Sequence, residues 1–197
     1  MKDLVDYKDG AQLIYRSYFE SELVFGEGRA YGIEFFLKRK IGPLTGWIGY
    51  TLSKSEREFP EANGGNPFPA KYSRTHDLSI VSSYKLNEHW TFSANFIYTS
   101  GHHVTIPYGK YTVDGQTINA YTPRNGYVLP PYHRLDIGIS YTNNVGGVWN
   151  LSLYNVYARK NTYAIAIQND DINSNLKEAV RLSIFTIVPS ISYTLKF

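Results

Sequence analysis

The sequence predicts an all-β chain, an antiparallel meander forming part of a transmembrane β-barrel. Three observations lead there. Apolar and polar residues alternate with a period of two over most of the chain, the connections between these stretches are short and long in turn, and the last residues are an apolar, aromatic strand pattern.

Met1–Tyr7 reads as the stump of a strand. Tyr31, Ile33, Phe35 and Leu37 then alternate with Gly32, Glu34, Phe36 and Lys38, and Leu44, Ile48, Tyr50 and Leu52 with Thr45, Trp47, Gly49, Thr51 and Ser53; Phe36, Gly46 and Trp47 depart from the pattern. Leu78, Ile80, Ser82, Tyr84 and Leu86 alternate with Asp77, Ser79, Val81, Ser83 and Lys85, followed by Trp90, Phe92, Ala94, Phe96 and Tyr98 against Thr91, Ser93, Asn95, Ile97 and Thr99. Leu135, Ile137, Ile139 and Tyr141 oppose Arg134, Asp136, Gly138 and Ser140, and Trp149, Leu151 and Leu153 oppose Asn150, Ser152 and Tyr154. The last segment sets Phe185, Ile187, Ile191, Tyr193, Leu195 and Phe197 against Ser190, Ser192, Thr194 and Lys196. These make about seven full strands, each near or above the roughly 9–11 residues a tilted strand needs to cross a bilayer.

The tight turns are Ile41-Gly42-Pro43, Asn87-Glu88 and Asn143 to Gly147, and the long connections are 58–72, 101–131 and 160–179. The long ones hold FPEANGGNPFP, HHVTIPYGKYTVDGQ and NDDINSN, whose Pro, Gly, Asn and Asp content reads as loop rather than strand. Short periplasmic turns and long extracellular loops are the asymmetry of outer-membrane barrels. Alternation alone does not say which face points outward, because a soluble ligand-binding barrel turns its apolar face inward. Tyr193, Leu195 and Phe197 decide the matter, since they resemble the terminal assembly signal of outer-membrane barrels.

Composition agrees. Tyr (18) and Phe (10) far outnumber Trp (3), which favours strands, and the absence of Cys removes disulfides, thiolate metal sites and cysteine nucleophiles. Net charge is +3, but Lys and Arg are scattered except at Lys38-Arg39-Lys40, so no nucleic-acid footprint is expected. No apolar run approaches the length of a membrane helix, and the mean hydropathy of −0.33 suits a strand-built membrane wall in which only every second residue meets lipid.

Candidates for chemistry are thin. His102-His103 lacks a third ligand at recognisable spacing, and Asp171, Asn173 and Asn175 begin a calcium loop that has Leu176 where Gly is required. His76 and Asp77 are adjacent on a strand and point to opposite faces, and no G-x-S-x-G motif occurs, so no enzyme activity, cofactor or metal is expected. Glu34, Lys38, Asp77, Lys85, Arg134 and Asp136 are the candidates to face the lumen of the barrel. Phe68, His102, His103, Tyr108, Tyr111 and Tyr121 are the candidates for ligand contact from the loops, the alternative being that the loop aromatics only pack the loops together.

Residues 28–57 (GRAYGIEFFLKRKIGPLTGWIGYTLSKSER), 72–101 (YSRTHDLSIVSSYKLNEHWTFSANFIYTSG), 132–142 (YHRLDIGISYT) and 153–161 (LYNVYARKN) resemble the C-terminal β-barrel portion of TonB-dependent outer-membrane receptors. In this resemblance Gly28 and Gly32 mark the entry of a long loop into a strand, Arg74 and Asp77 start the next strand, and the whole of 1–197 is one barrel portion. It implies a parent barrel of about 22 strands filled by an N-terminal plug, with a segment ahead of the plug that engages the TonB complex. The expected partners are outer-membrane lipid, the barrel-assembly machinery, the TonB complex only through that N-terminal region, and a large nutrient such as a glycan or siderophore. With a stump too short to span and two open edges, the chain is expected to be a fragment that does not transport alone. The competing expectations are a structural or adhesion barrel of the outer membrane and a soluble ligand-binding barrel.

Overall fold

The computed structural model describes residues 1–7, 23–113, 116–169 and 177–195. The described chain is all-β. Its long strands are β2 (Leu23–Arg39), β3 (Leu44–Glu58), β5 (His76–Lys85), β6 (Trp90–Thr99), β11 (Tyr132–Thr142), β12 (Val148–Tyr154) and β15 (Val188–Thr194), with β1 (Leu4–Tyr7) at the start. Between them lie β4 (Phe68–Pro69), β7 (His103–Val104), β8 (Pro107–Val113), β9 (Gln116–Tyr121), β10 (Tyr127–Val128), β13 (Ala164–Asn169) and β14 (Lys177–Leu182). The main sheet is a meander in the order β1-β2-β3-β5-β6-β11-β12-β15, with β4 added to β3. No helix among the described residues is long and apolar enough to cross a membrane.

Seven strands of the main sheet and a short first one match the expected count, although β12 and β15, at 7 residues each, fall short of the roughly 9–11 expected, and three further details differ. First, the long connections carry strands of their own. Hairpins β8–β9 and β13–β14 and the pair β7–β10 occupy stretches read as loop. For the first hairpin the cause is visible in the sequence, because Asp114-Gly115 between Tyr- and Thr-rich runs is a hairpin signal outweighed by the surrounding Pro and Asn. Second, β2 begins at Leu23, so Gly28 and Gly32 lie within a strand and not at its entrance. Gly32 and Gly26 are required by close approach of backbone, and Gly28 makes room for the movable tip of Leu4. A Cβ on Gly28 would stand 2.7 Å from Leu4 Cδ1, one on Gly32 would stand 2.6 Å from the Leu52 carbonyl, and one on Gly26 would strike the Glu58 carbonyl. Third, β15 starts at Val188, later than Phe185. Its Pro189 opposes Leu153 and lacks an N–H, which a strand at the edge of the described sheet tolerates.

The chain divides into two compact units. One comprises residues 1–33, 52–75 and 101–129, the other residues 34–51, 76–100 and 130–197. Every buried hydrophobic residue among those described belongs to the first: Val24, Phe59, Ala62, Phe68, Ala70 and Leu129. Val24, Phe59, Ala62 and Phe68 form one cluster with Leu4 against it, and the Phe59 and Phe68 rings stack 6.0 Å apart.

The second unit is a two-faced sheet. Tyr132↔Thr99 through Tyr141↔Trp90 join β11 to β6, Ile137↔Leu153 through Thr142↔Val148 join β11 to β12, and Val148↔Thr194 through Tyr154↔Val188 join β12 to β15. This register puts Ile80, Phe92, Phe96, Ile137, Ile139, Leu151 and Ile191 on one face and Ser79, Ser93, Asn95, Arg134, Asp136, Ser140, Asn150 and Ser192 on the other. The apolar face is uncovered, with Leu151 49% and Ile191 69% exposed.

The first unit's cluster is small and therefore depends on each ring. Phe59→Ala should cost about 3–5 kcal/mol locally. Amide hydrogen exchange should then speed up at Gly65, Asn66 and Ala70 while β6 and β11 keep their protection; unchanged exchange at Ala70 would show that Phe59 does not hold this unit together.

Candidate functional site

Where β11 and β12 end, the polar face of the second unit closes into a hydrogen-bonded group. Arg134 and Asp136 are two residues apart on one strand, so their side chains rise from the same face and touch: Arg134 Nε lies 2.9 Å from Asp136 Oδ1. The guanidinium also donates to the Tyr132 hydroxyl at 3.0 Å and sits 4.1 Å over the Tyr154 ring. Asp136 accepts further from the Asn155 backbone N–H at 2.9 Å and from Asn95 Nδ2 at 3.4 Å.

Asn155 is the hinge of this group. It is 1% exposed and has φ of 53°, a left-handed conformation that Asn tolerates better than most residues. Its side-chain amide donates to the carbonyls of Arg159 (2.9 Å) and Thr186 (2.6 Å), tying the chain after β12 to the segment before β15. Arg159 donates to the Pro131 carbonyl and to Asn161 Oδ1, and Asn161 Nδ2 donates to the His133 carbonyl. Chemically the group is an anchor. The carboxylate is engaged on both oxygens, and the group contains no serine or thiol nucleophile.

The remaining lumen candidates lie apart. Glu34 and Lys38 are on the polar face of β2, and Asp77 and Lys85 stand at the two ends of the polar face of β5. Only Arg134 and Asp136 are brought together. On the same face Phe36 packs on Trp47 with ring centroids 5.8 Å apart, over Gly49, where a Cβ would stand 3.3 Å from the Trp47 ring. The two aromatics that break the alternation therefore cover each other.

In the first unit, Arg124 donates to Asp6 Oδ1 at 2.9 Å and to the Tyr7 carbonyl at 2.7 Å, and lies 5.6 Å over the Phe68 ring. Asn125 Nδ2 donates to the Pro69 carbonyl at 2.8 Å, and the Asn125 carbonyl lies 3.1 Å from His103 Nδ1. Phe68, expected among the ligand-contacting residues, is 2% exposed between Phe59 and Arg124, so it packs the loops and does not present a surface. His102 and His103 are half-buried; burial, with Arg74, Lys71 and His103 nearby, holds His102 below the usual imidazole range. Tyr121 ends β9, and Tyr108 and Tyr111 lie on β8, where only the backbone is described. Phe197, Asp171, Asn173 and Asn175 lie outside the described residues, whereas Tyr193 and Leu195 are 45% and 44% exposed.

A shallow cleft lined by Glu27, Arg29, Glu56, Arg57 and Glu58 lies beside this cluster. Lys54 Nζ stands 2.8 Å and Arg29 3.1 Å from Glu56, and the hydrogen bond from Lys54 holds the Glu56 carboxyl below its ordinary range. Among the described residues no group of three or more His, Asp or Glu is placed to hold a metal ion. The sequence reading missed Tyr154, Asn155, Arg159 and Asn161; the signal was the segment LYNVYARKN, which resembles the family but does not by itself reveal a left-handed Asn.

Asn155→Ala removes two donor bonds to carbonyls and replaces Asn with a residue that tolerates left-handed backbone less well, so it should destabilise by about 2–4 kcal/mol. Asn155→Gly loses the same bonds without the strain and should cost about 1–2 kcal/mol less. Urea unfolding followed by tryptophan fluorescence separates the two variants; equal losses would mean that the backbone conformation contributes nothing.

Residues 4–157 match the family model described as TonB dependent receptor-like, beta-barrel. No curated protein and no solved structure matches the chain.

Proposed function

Because the chain belongs to the TonB-dependent receptor-like β-barrel family, we propose that it forms part of the wall of an outer-membrane receptor that takes up a large nutrient, and that it performs no chemical reaction. The family is one of outer-membrane barrels. The observation that carries the proposal to this chain is the uncovered apolar face of the second unit. A face of this extent in water is a liability, and lipid is the solvent that removes it.

Two aromatic rows on this face support a membrane setting. Trp90, Tyr141, Trp149 and Tyr193 stand at one register level, with Trp90–Tyr141 and Trp149–Tyr193 centroids 4.7 and 4.6 Å apart. Tyr98, His133 and Tyr157 make the other row, with the Tyr50 hydroxyl 2.8 Å from His76 Nδ1 beside them. At about 3.3 Å per residue, His133 to Tyr141 spans roughly 26 Å along the strand. A tilt of about 40° makes that roughly 20 Å of height, near the roughly 25 Å apolar band of outer-membrane barrels.

In this reading the short turns are periplasmic and the polar face lines the lumen, so Glu34, Lys38, Asp77, Lys85, Arg134 and Asp136 stand there. The long connections are extracellular, and His102, His103, Tyr121 and the charged cleft at Glu56 are the cargo-contact candidates. The charges of that cleft suit a polar cargo such as a glycan or an iron chelate. Tyr193, Leu195 and Phe197 serve recognition by the barrel-assembly machinery, and coupling to the TonB complex runs through a plug-bearing N-terminal region. The path from β1 to β15 leaves one side of each end strand without a registered neighbour among the described residues. Lipid does not solvate such edges, so further strands complete the wall and these residues alone do not transport.

The lipid assignment is tested by face. In lipid vesicles Leu151→Arg should destabilise by about 2–4 kcal/mol and Asn150→Arg by less than about 1 kcal/mol; equal costs would remove the membrane face. Transport is tested in cells that make the protein. Loss of its gene should lower uptake of one large nutrient from a panel of glycans, siderophores and cobalamin, and only where TonB is intact. Undiminished uptake of the whole panel would count against a transport role.

A further inference from the structure

On the apolar face of the second unit, at the end where Ile41-Gly42-Pro43 joins β2 to β3, a groove runs between Leu37, Leu44, Ile48 and Ile80. Its floor is Gly46. The neighbours of Gly46 on this face, Leu44 and Ile48, carry large side chains, and Gly46 carries none. The gap is built in: Gly46 has φ of 154°, and a Cβ there would collide with the Val81 carbonyl and stand 2.9 Å from Ser82 Cα. The lining is almost wholly apolar.

The mouth is basic. Arg39 lines it from the same face of β2 as Leu37, and its Nε donates to the Ile41 carbonyl at 3.2 Å, which holds the guanidinium at the turn. Lys40 follows in the turn and is exposed. Leu37 and Leu44, at the two sides of the groove, are 70% and 43% exposed, so no described residue fills it.

We propose that this groove holds an acyl chain of an anionic phospholipid of the periplasmic leaflet, with Arg39 and Lys40 on its phosphate. The inference rests on the reading that the apolar face meets lipid and that the short turns are periplasmic. An apolar slot ending at the Arg39 guanidinium, with Lys40 next in the chain, matches a lipid in shape and charge together. A guanidinium offers a phosphate paired donors, whereas a second copy of this chain is itself net positive, at +3.

The test uses the protein as purified from the membranes of cells that make it, exchanged into micelles holding equal phosphatidylglycerol and phosphatidylethanolamine, with bound lipid read by native mass spectrometry. Wild type should retain phosphatidylglycerol over phosphatidylethanolamine by at least about fivefold. The double variant Arg39→Gln, Lys40→Gln should lower that ratio to about one. Ile80→Trp should fill the slot and remove retention of both lipids, whereas Leu151→Trp, on the same face outside the groove, should leave retention unchanged. A wild-type ratio of one, a double variant that keeps the preference, or equal effects of the two Trp variants overturns the proposal; should Ile80→Trp fail to fold, the charge variant decides. Carbonate extraction of membranes separates this site from the broader reading. A chain that resists extraction but shows no preference removes the groove alone, and a chain that is extracted removes both.

Discussion

A sheet with one apolar and one polar face tolerates no slip of one residue, because every side chain would change faces at once. In the second unit this constraint falls on β11, which is bonded to β6 on one side and β12 on the other. A slip by one would turn Arg134 and Asp136 onto the face of Phe96 and Leu151. A slip by two keeps the faces, so alternation sets only the parity. The absolute register needs contacts that a two-residue shift breaks, and they lie at the two ends of the β11–β12 ladder. Beside its Ile137↔Leu153 end the Asn155 N–H meets Asp136 Oδ1, and at the other end Trp90, Tyr141, Trp149 and Tyr193 form a single row. Each aromatic pair adds about 0.5–1.5 kcal/mol, and the charge-assisted bond about twice a neutral one. Together they favour one register over its neighbours of the same parity.

The same two strands run through both units. Along β2 and β3, the residues in the first unit help to enclose Val24, Phe59 and Phe68 on one side, while Phe25, Tyr31 and Ile33 remain exposed. The residues of those strands in the second unit leave Phe35, Leu37 and Ile48 exposed. Between them the glycines change role. Gly26, Gly28 and Gly32 admit neighbouring backbone and the Leu4 side chain, whereas Gly46 admits the β5 backbone and leaves a slot on the apolar face. At Gly26, Gly32 and Gly46 the missing Cβ is needed for approach between chain segments, and turn formation does not account for it.

These contrasts explain what the sequence disclosed. The seven long strands were legible because period-two alternation encodes them residue by residue, and the turns at Gly42 and at Asn143 to Gly147 because their residue types are demanded by the backbone. The β8–β9 hairpin was not, since Pro and Asn density describes a loop and a hairpin within a loop equally well. Gly28 and Gly32 read as loop entry because their partners, Leu4 and the Leu52 carbonyl, are distant in sequence. Phe68 carries the same ambiguity, since an aromatic in a loop reads alike whether it faces a ligand or Phe59. Asn155 was invisible as an anchor because its role depends on a left-handed backbone and on Thr186, far along the chain.

The polar face has charges of two kinds, and this bears on the proposed uptake of a cargo. Arg134 and Asp136 are committed. Between them they engage Tyr132, Tyr154, Asn95 and the Asn155 backbone, and a ligand recruiting either one would leave the other's partners unsatisfied in a half-buried setting. Glu34, Lys38 and Lys85 join no such group among the described residues, and their long side chains stand on exposed strand positions. If the polar face lines a lumen, the paired residues therefore hold the wall in register, and discrimination among ligands falls to the separate charges and to the connections of the first unit.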